Sequence, residues 1–147
     1  MELRYTIPLA PVTKKNHQQI MYNARTGRRF VKPSPQYEQY AEAARWFLRP
    51  APAEPICTPV NVRCLFYLPT RRRTDLVNLL QAVDDILVEA GILADDNYCI
   101  VAGHDGSRVY YDKQNPRTEI GIEAQTEPVT TPIFMGPVPP EYPVPAG

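Results

Sequence analysis

The stretch that decides the reading is Arg71–Asn97, RRRTDLVNLLQAVDDILVEAGILADDN. Three arginines precede an acid, Asp75, and apolar residues then recur at helical spacing until a glycine, Gly91. This pattern predicts an amphipathic helix from about Thr74 to Ala90. A second acid pair, Asp95 and Asp96, follows at once. From Asp84 to Asp96 the chain carries five carboxylates (Asp84, Asp85, Glu89, Asp95, Asp96) and no Lys or Arg. Carboxylates gathered without cations repel one another unless something positive sits among them, and a hard divalent metal ion is the usual neutraliser. Arginines beside such a metal point to phosphate chemistry.

On a wheel advancing ~100° per residue, Leu76, Leu79, Leu80, Val83, Ile86, Leu87 and Ala90 share one arc, the expected core face. Asp75, Asn78, Asp85 and Glu89 lie opposite, with the small Ala82 among them. Asp75 and Asn78 are one turn apart and can touch one ligand. Asp75 and Asp85 are separated by ~15 Å along the axis and cannot hold the same ion. Any acidic partner of Asp75 therefore comes from another segment, and Asp95 and Asp96 are nearest in sequence. Each acid also has a plainer reading: Asp75 as an ordinary acid favoured by the helix dipole, and Asp95-Asp96-Asn97 as a solvated turn.

Net charge is zero, but its distribution is uneven. Residues 1–37 hold seven bases (Arg4, Lys14, Lys15, Arg25, Arg28, Arg29, Lys32) against one acid, Glu2. A basic surface around a small acidic focus admits a polyanion, which uniform acidity would repel. Arg71, Arg72 and Arg73 can bind phosphate bidentately; Lys14 and Lys15 form a second basic loop, and Arg28 and Arg29 a third with Arg25. Tyr22 and Phe30 interleave the third group, as strand core or as stacking surfaces. His17 and His104 have no metal-binding spacing, Ser107 lies in a turn without a nucleophile elbow, and no glycine-rich phosphate loop occurs.

Around this centre, LRYTIPLA (residues 3–10) reads as a strand, and the segments around IMYN and RRFV as a hairpin turned at Gly27. Ser34 and Pro35 open a helix whose apolar spacing marks Tyr37, Tyr40, Ala41, Ala44, Phe47 and Leu48, with Trp46 also in the core. PVNVRCLFYLP alternates as a strand through Val60, Val62, Cys64 and Phe66. Residues 98–111 form a strand pair or one bent strand, and residues 118–124 a last strand. This order predicts an α+β fold: one domain over residues 1–126, with a mixed, mainly antiparallel sheet and two main helices packed on it. Residues 127–147 hold seven prolines and are expected to be a disordered tail. No run is long enough for a membrane span, and the start lacks a signal-peptide pattern, so a cytoplasmic protein is expected. Cys57, Cys64 and Cys99 read as reduced core thiols.

Over residues 3–124 the chain resembles the RusA family of Holliday junction resolvases, found in bacteria and their prophages. Nine positions of the central motif agree in order and spacing: Asp75, Leu76, Asn78, Leu79, Asp85, Leu87, Gly91, Asp95 and Asp96. PLAPVTKKN and KPSPQYEQY are similar to the family's opening strand-loop and first helix. The resemblance implies a homodimer that binds four-way DNA junctions and nicks two strands symmetrically with Mg2+, Mn2+ being an alternative. By position it implies Asp75 and Asp96 as catalytic acids; with Asp95 and the neutral oxygen of Asn78 they form the expected metal-binding set. Two positions depart from the family: its second acid falls on Val77 and its helical lysine on Gln81. Asp95, Asp105 and Asp85 are the carboxylates that could compensate, and Lys14, Lys15 or Arg73 the cations. A DNA-binding protein of the same fold without catalysis is the alternative.

Overall fold

The computed structural model describes residues 1–14, 19–32 and 34–125. The expected Pro-rich tail lies outside the described residues, as do Lys15 and His17. The elements are β1 (Glu2–Ile7), β2 (Gln19–Asn23), β3 (Arg28–Lys32), α1 (Pro35–Phe47), β4 (Val60–Leu68), α2 (Leu76–Glu89), β5 (Val101–Gly103), β6 (Arg108–Tyr111) and β7 (Arg117–Ala124).

β4 is the spine of the main sheet. Its alternation buries Val60, Val62, Cys64, Phe66 and Leu68 on one face, the first four in the core shared with both helices. β7 pairs antiparallel with β4 on one side and with β1 on its other side. β5 and β6 both run parallel to β4 along its remaining edge, beside its beginning and its end respectively. The sheet is thus mixed and mainly antiparallel, with two helices packed on it, as the α+β expectation has it. β2 and β3 form their own two-stranded sheet.

β5 and β6 do not pair with each other; they are one edge strand interrupted at His104–Ser107. Side chains seal the gap. Asn61 mimics a backbone partner: its Nδ2 donates to Asp105 O at 3.2 Å, and its Oδ1 accepts from Asp105 N at 2.8 Å. Ser107 is buried and its Oγ accepts from Cys64 N at 3.0 Å, satisfying a buried amide that the break would orphan.

In α1 the buried row is Tyr37, Tyr40, Ala41, Ala44, with Leu48 following, and Ser34 Oγ caps the start by accepting from Tyr37 N at 3.2 Å. Trp46 and Phe47 are exposed, not core: the row passes from Ala44 to Leu48 and leaves both on the solvent side. Arg49 stacks on Trp46 there, its guanidinium carbon 4.3 Å from the ring centre. In α2, Ala82 is buried rather than part of the polar face, because it continues the i, i+3, i+7 row from Leu79 to Ile86. Cys64 is a core thiol, whereas Cys57 and Cys99 sit in exposed loops. Tyr22 and Phe30 are exposed as well, on a hairpin that forms its own sheet apart from the main one. Full burial of a side chain such as Phe66 or Leu87 stabilises the fold by about 2 kcal/mol.

Candidate active site along helix α2

β4, α2 and the parallel strand after it make one crossover unit, so α2 runs back along the sheet against the direction of β4. Its two ends therefore lie at opposite ends of β4.

At the first end, Pro69 stops the strand and the arginine loop leads into the helix. Asp75 is the N-cap: its backbone is extended, and its Oδ1 accepts from Val77 N at 3.0 Å. One of the orphan amides of the helix start is thereby satisfied. Asn78 is half-buried one turn on. Arg71, Arg72 and Arg73 are exposed, and Arg71 lies over Tyr111 with its guanidinium carbon 4.4 Å from the ring centre. A cleft of about 230 Å³ opens here between Ala10–Thr13, Gln36 and the Leu68–Thr74 loop, with Arg72 and Thr74 on its wall. A somewhat larger hollow, about 270 Å³, lies away from the acids on the opposite face of the sheet beside Arg4 and Arg63.

At the second end, Gly91 adopts φ 76° and closes the helix. Ile92 N donates to Leu87 O at 3.0 Å and Gly91 N to Val88 O at 3.1 Å, with Ile92 and Leu87 both buried, the pairing of a Schellman motif. Ile92–Ala94 then bridge to Ile56, two backbone bonds of 2.9 Å fixing where the acid loop departs. In that loop Asp95 Oδ1 accepts from Asp96 N at 2.7 Å and Asp95 Oδ2 from Asn97 Nδ2 at 3.0 Å. These bonds, the Asp96 amide first, hold the Asp95 carboxyl below its ordinary pKa. Asp96 is shifted the other way: partial desolvation, the contact with Asp95 and the charges of Asp85 and Asp95 raise its pKa.

Asp85 joins this end to the loop after β1. Lys14 Nζ stands 3.3 Å from Asp85 Oδ2 and 5.8 Å from the centre of the Tyr37 ring. The Tyr37 hydroxyl is buried without a hydrogen-bond partner among the described residues. Burial first, then the charges of Asp85 and Glu89, push its pKa up.

The remaining acid of the row, Asp84, has a separate role. It is buried, and His104 Nε2 lies 2.8 Å and 3.1 Å from its two oxygens. The bond to Asp84 raises the His104 pKa against the opposing effect of desolvation. This pair ties α2 to the break between β5 and β6. Sequence spacing did not find it, although a signal was present: Asp84 lies four residues after Leu80 and three before Leu87, on the apolar arc, where a carboxylate requires a partner.

Asp75 and Asn78 thus stand at one end of α2, and Asp95 and Asp96 beyond the other, with Asp96 within charge range of Asp85. Between them the solvent face carries Val77, 68% exposed, and Gln81, also exposed. Among the described residues no three His, Cys, Asp or Glu side chains are grouped to hold a metal ion. An all-protein cage is therefore absent among the described residues. The length of α2 keeps Asp75 and Asn78 apart from Asp95 and Asp96, so an ion at either end would have only one or two carboxylates from this chain and would keep water or a substrate phosphate for the rest, a coordination that Mg2+ accepts. Arg28 and Arg29 are exposed on the hairpin, away from the main sheet.

No helix among the described residues is long and apolar enough to cross a membrane. A comparison with curated proteins gave no match. The sequence does match the family described as endodeoxyribonuclease RusA, over residues 8–123, a span that begins just after β1 and takes in both helices, the arginine loop, the acid loop and all but the end of β7. With that span and this α+β architecture, the chain belongs to the RusA endodeoxyribonuclease family of Holliday junction resolvases.

Proposed function

We propose that the protein is a Mg2+-dependent endonuclease that resolves four-way DNA junctions by paired, symmetric nicks, acting as a homodimer. The observation that carries this reading is the α2 ridge of a RusA-family chain. It has Asp75 at its head beside three exposed arginines, and the acid pair Asp95 and Asp96 beyond its tail. Asp75, Asp95 and Asp96 are the catalytic acids; with Asn78 they supply the oxygen ligands, as two pairs at the two ends of the helix. When bound, Mg2+ supplies Lewis acidity toward a phosphate and lowers the pKa of an attacking water; Mn2+ can replace it.

The chain's own residues do the rest. Arg71, Arg72, Arg73 and Lys14 hold phosphates at the ridge, Lys15 adds a further phosphate-binding cation, and Arg28 and Arg29 hold phosphates at the hairpin, with little readout of base identity. The Asp75–Val77 cap fixes the carboxylate at the helix head, where the positive end of the dipole favours an anion. Two protomers related by a two-fold axis would present two such ridges to the two equivalent strands of a junction.

Val77 supports a second reading. A fully apolar, solvent-facing residue at the family's acidic position suits a junction-binding protein that has lost catalysis. Mapping cuts on an end-labelled four-way junction separates the two. Symmetric nicks in two strands of like polarity are expected; stable binding without cuts in both Mg2+ and Mn2+ selects the silent binder.

A further inference from the structure

The hairpin β2–β3 is separate from the main sheet. It forms its own sheet, and every residue from Met21 to Phe30 is exposed. Isolated two-stranded hairpins are marginally stable, and exposed aromatic residues on one need a reason. This hairpin has a braced tip. Gly27, at φ 68°, donates its amide to Asn23 O at 2.8 Å. Asn23 Oδ1 accepts from Arg25 N at 2.9 Å. The Tyr22 hydroxyl lies over Gly27, 3.6 Å from where a Cβ would stand there. That close approach aims the ring along the hairpin toward its turn.

The register puts chemistry on both faces. Tyr22 is directly opposite Arg29, and Met21 directly opposite Phe30. Cross-strand neighbours of this kind have Cβ atoms about 5 Å apart, so one face carries an aromatic ring beside a guanidinium and the other an apolar pair. Tyr22 is 67% and Phe30 46% exposed. From Gln19 to Lys32 the segment has four cations and no acid. A protein surface that lacks acids and pairs rings with arginines complements nucleic acid in which bases are accessible: phosphate goes to the guanidinium and a base face to the ring.

We infer that this hairpin is a wedge for the branch point of a DNA junction, with Tyr22 and Phe30 stacking on bases unstacked there and Arg25, Arg28 and Arg29 holding the flanking phosphates. The inference rests on the junction as substrate but not on cleavage. It assigns recognition of the branch to a structure separate from the α2 ridge.

The test measures binding in EDTA, so that no cutting intervenes, to a four-way junction and to a duplex of the same sequence. 2-Aminopurine placed at the branch point reports stacking. Tyr22→Ala and Phe30→Ala should each weaken junction binding by about tenfold, leave duplex binding nearly unchanged and reduce the 2-aminopurine response. Tyr22→Phe should keep all three properties. Arg28→Gln and Arg29→Gln should weaken both substrates and lower the slope of log affinity against log salt by about 0.9 each. Alanine variants that melt like the wild type yet bind the junction equally well would overturn the wedge. So would equal losses on junction and duplex, or conversion to a smaller species in sedimentation, which would make the hairpin a contact between protomers. Because the readout is binding, a protein that never nicks can still carry the wedge, and failure of the wedge leaves the nicking reaction standing.

Discussion

Asp75 carries two loads, and they can be separated by substitution. Its Oδ1 caps α2 through the 3.0 Å bond from Val77 N, and its charge is proposed to serve the metal. Asn is as good an N-cap as Asp but has no charge. Asp75→Asn should therefore lose only the dipole interaction, about 0.5 kcal/mol, and melt within roughly 2 °C of the wild type. Asp75→Ala removes the cap as well, costing about 1–2 kcal/mol and lowering Tm by about 4–6 °C. Ser restores the cap without a carboxylate and should restore the melting temperature. Nicking of a four-way junction in Mg2+ should fall by about a hundredfold or more in all three, while junction binding persists. Stability and activity thus diverge: Asn and Ser melt like the wild type and do not cut. An Asn variant that cuts at the wild-type rate would reduce Asp75 to a helix cap. An Ala variant that melts like the wild type would show that the cap bond contributes nothing to folding.

Val77→Asp places a carboxylate at a 68% exposed position in the first turn, where no burial opposes it and the dipole favours it. Nicking should be kept or raised with Tm unchanged or slightly higher, and a folded variant without cleavage would mean that the ridge is organised differently. His104→Ala leaves Asp84 buried without its partner and should cost about 3 kcal/mol in urea unfolding; a loss under 1 kcal/mol would contradict the pairing. The same pair sets a pH dependence. The folded His104 pKa is raised, so its stabilising contribution is complete below the unfolded value near ~6.5 and fades as pH rises through the folded value. Wild-type Tm should show that alkaline loss and His104→Gln should not; parallel profiles would refute it. Mg2+ at about a hundred times its Kd should stabilise the protein by about 2.7 kcal/mol, and Asp96→Asn should diminish the shift, an unchanged shift placing the ion elsewhere.

The local elements were legible because their signals are local. Ser34-Pro35 and the row from Tyr37 to Leu48 mark α1, the alternation from Val60 to Phe66 marks β4, and Gly27 and Gly91 mark a turn and a helix end. Strand partners are not local. Nothing in residues 98–111 tells that β5 and β6 both lie parallel to β4, because the break between them is held by Asn61, more than forty residues away. The helical wheel separated Asp75 from Asp85 correctly as a matter of distance. It could not tell that Asp96 would come near Asp85, since that follows from the bridge between Ile56 and Leu93. The wheel does set Asp84 on the apolar arc, but it could not name His104 as the partner that faces it there. Trp46 went astray for a simpler reason: an aromatic at a helix end has a solvent side available when an arginine, here Arg49, can cover its ring.

The central claim is metal-dependent cutting at the junction by this chain as it stands, with valine at position 77. The direct test is single-turnover nicking of an end-labelled four-way junction already bound by the wild-type protein, started by adding Mg2+, with EDTA as the control. Paired nicks that begin on Mg2+ addition and are absent in EDTA are the predicted result. A junction that stays bound and uncut in Mg2+ would contradict the claim, as would cutting that proceeds equally in EDTA.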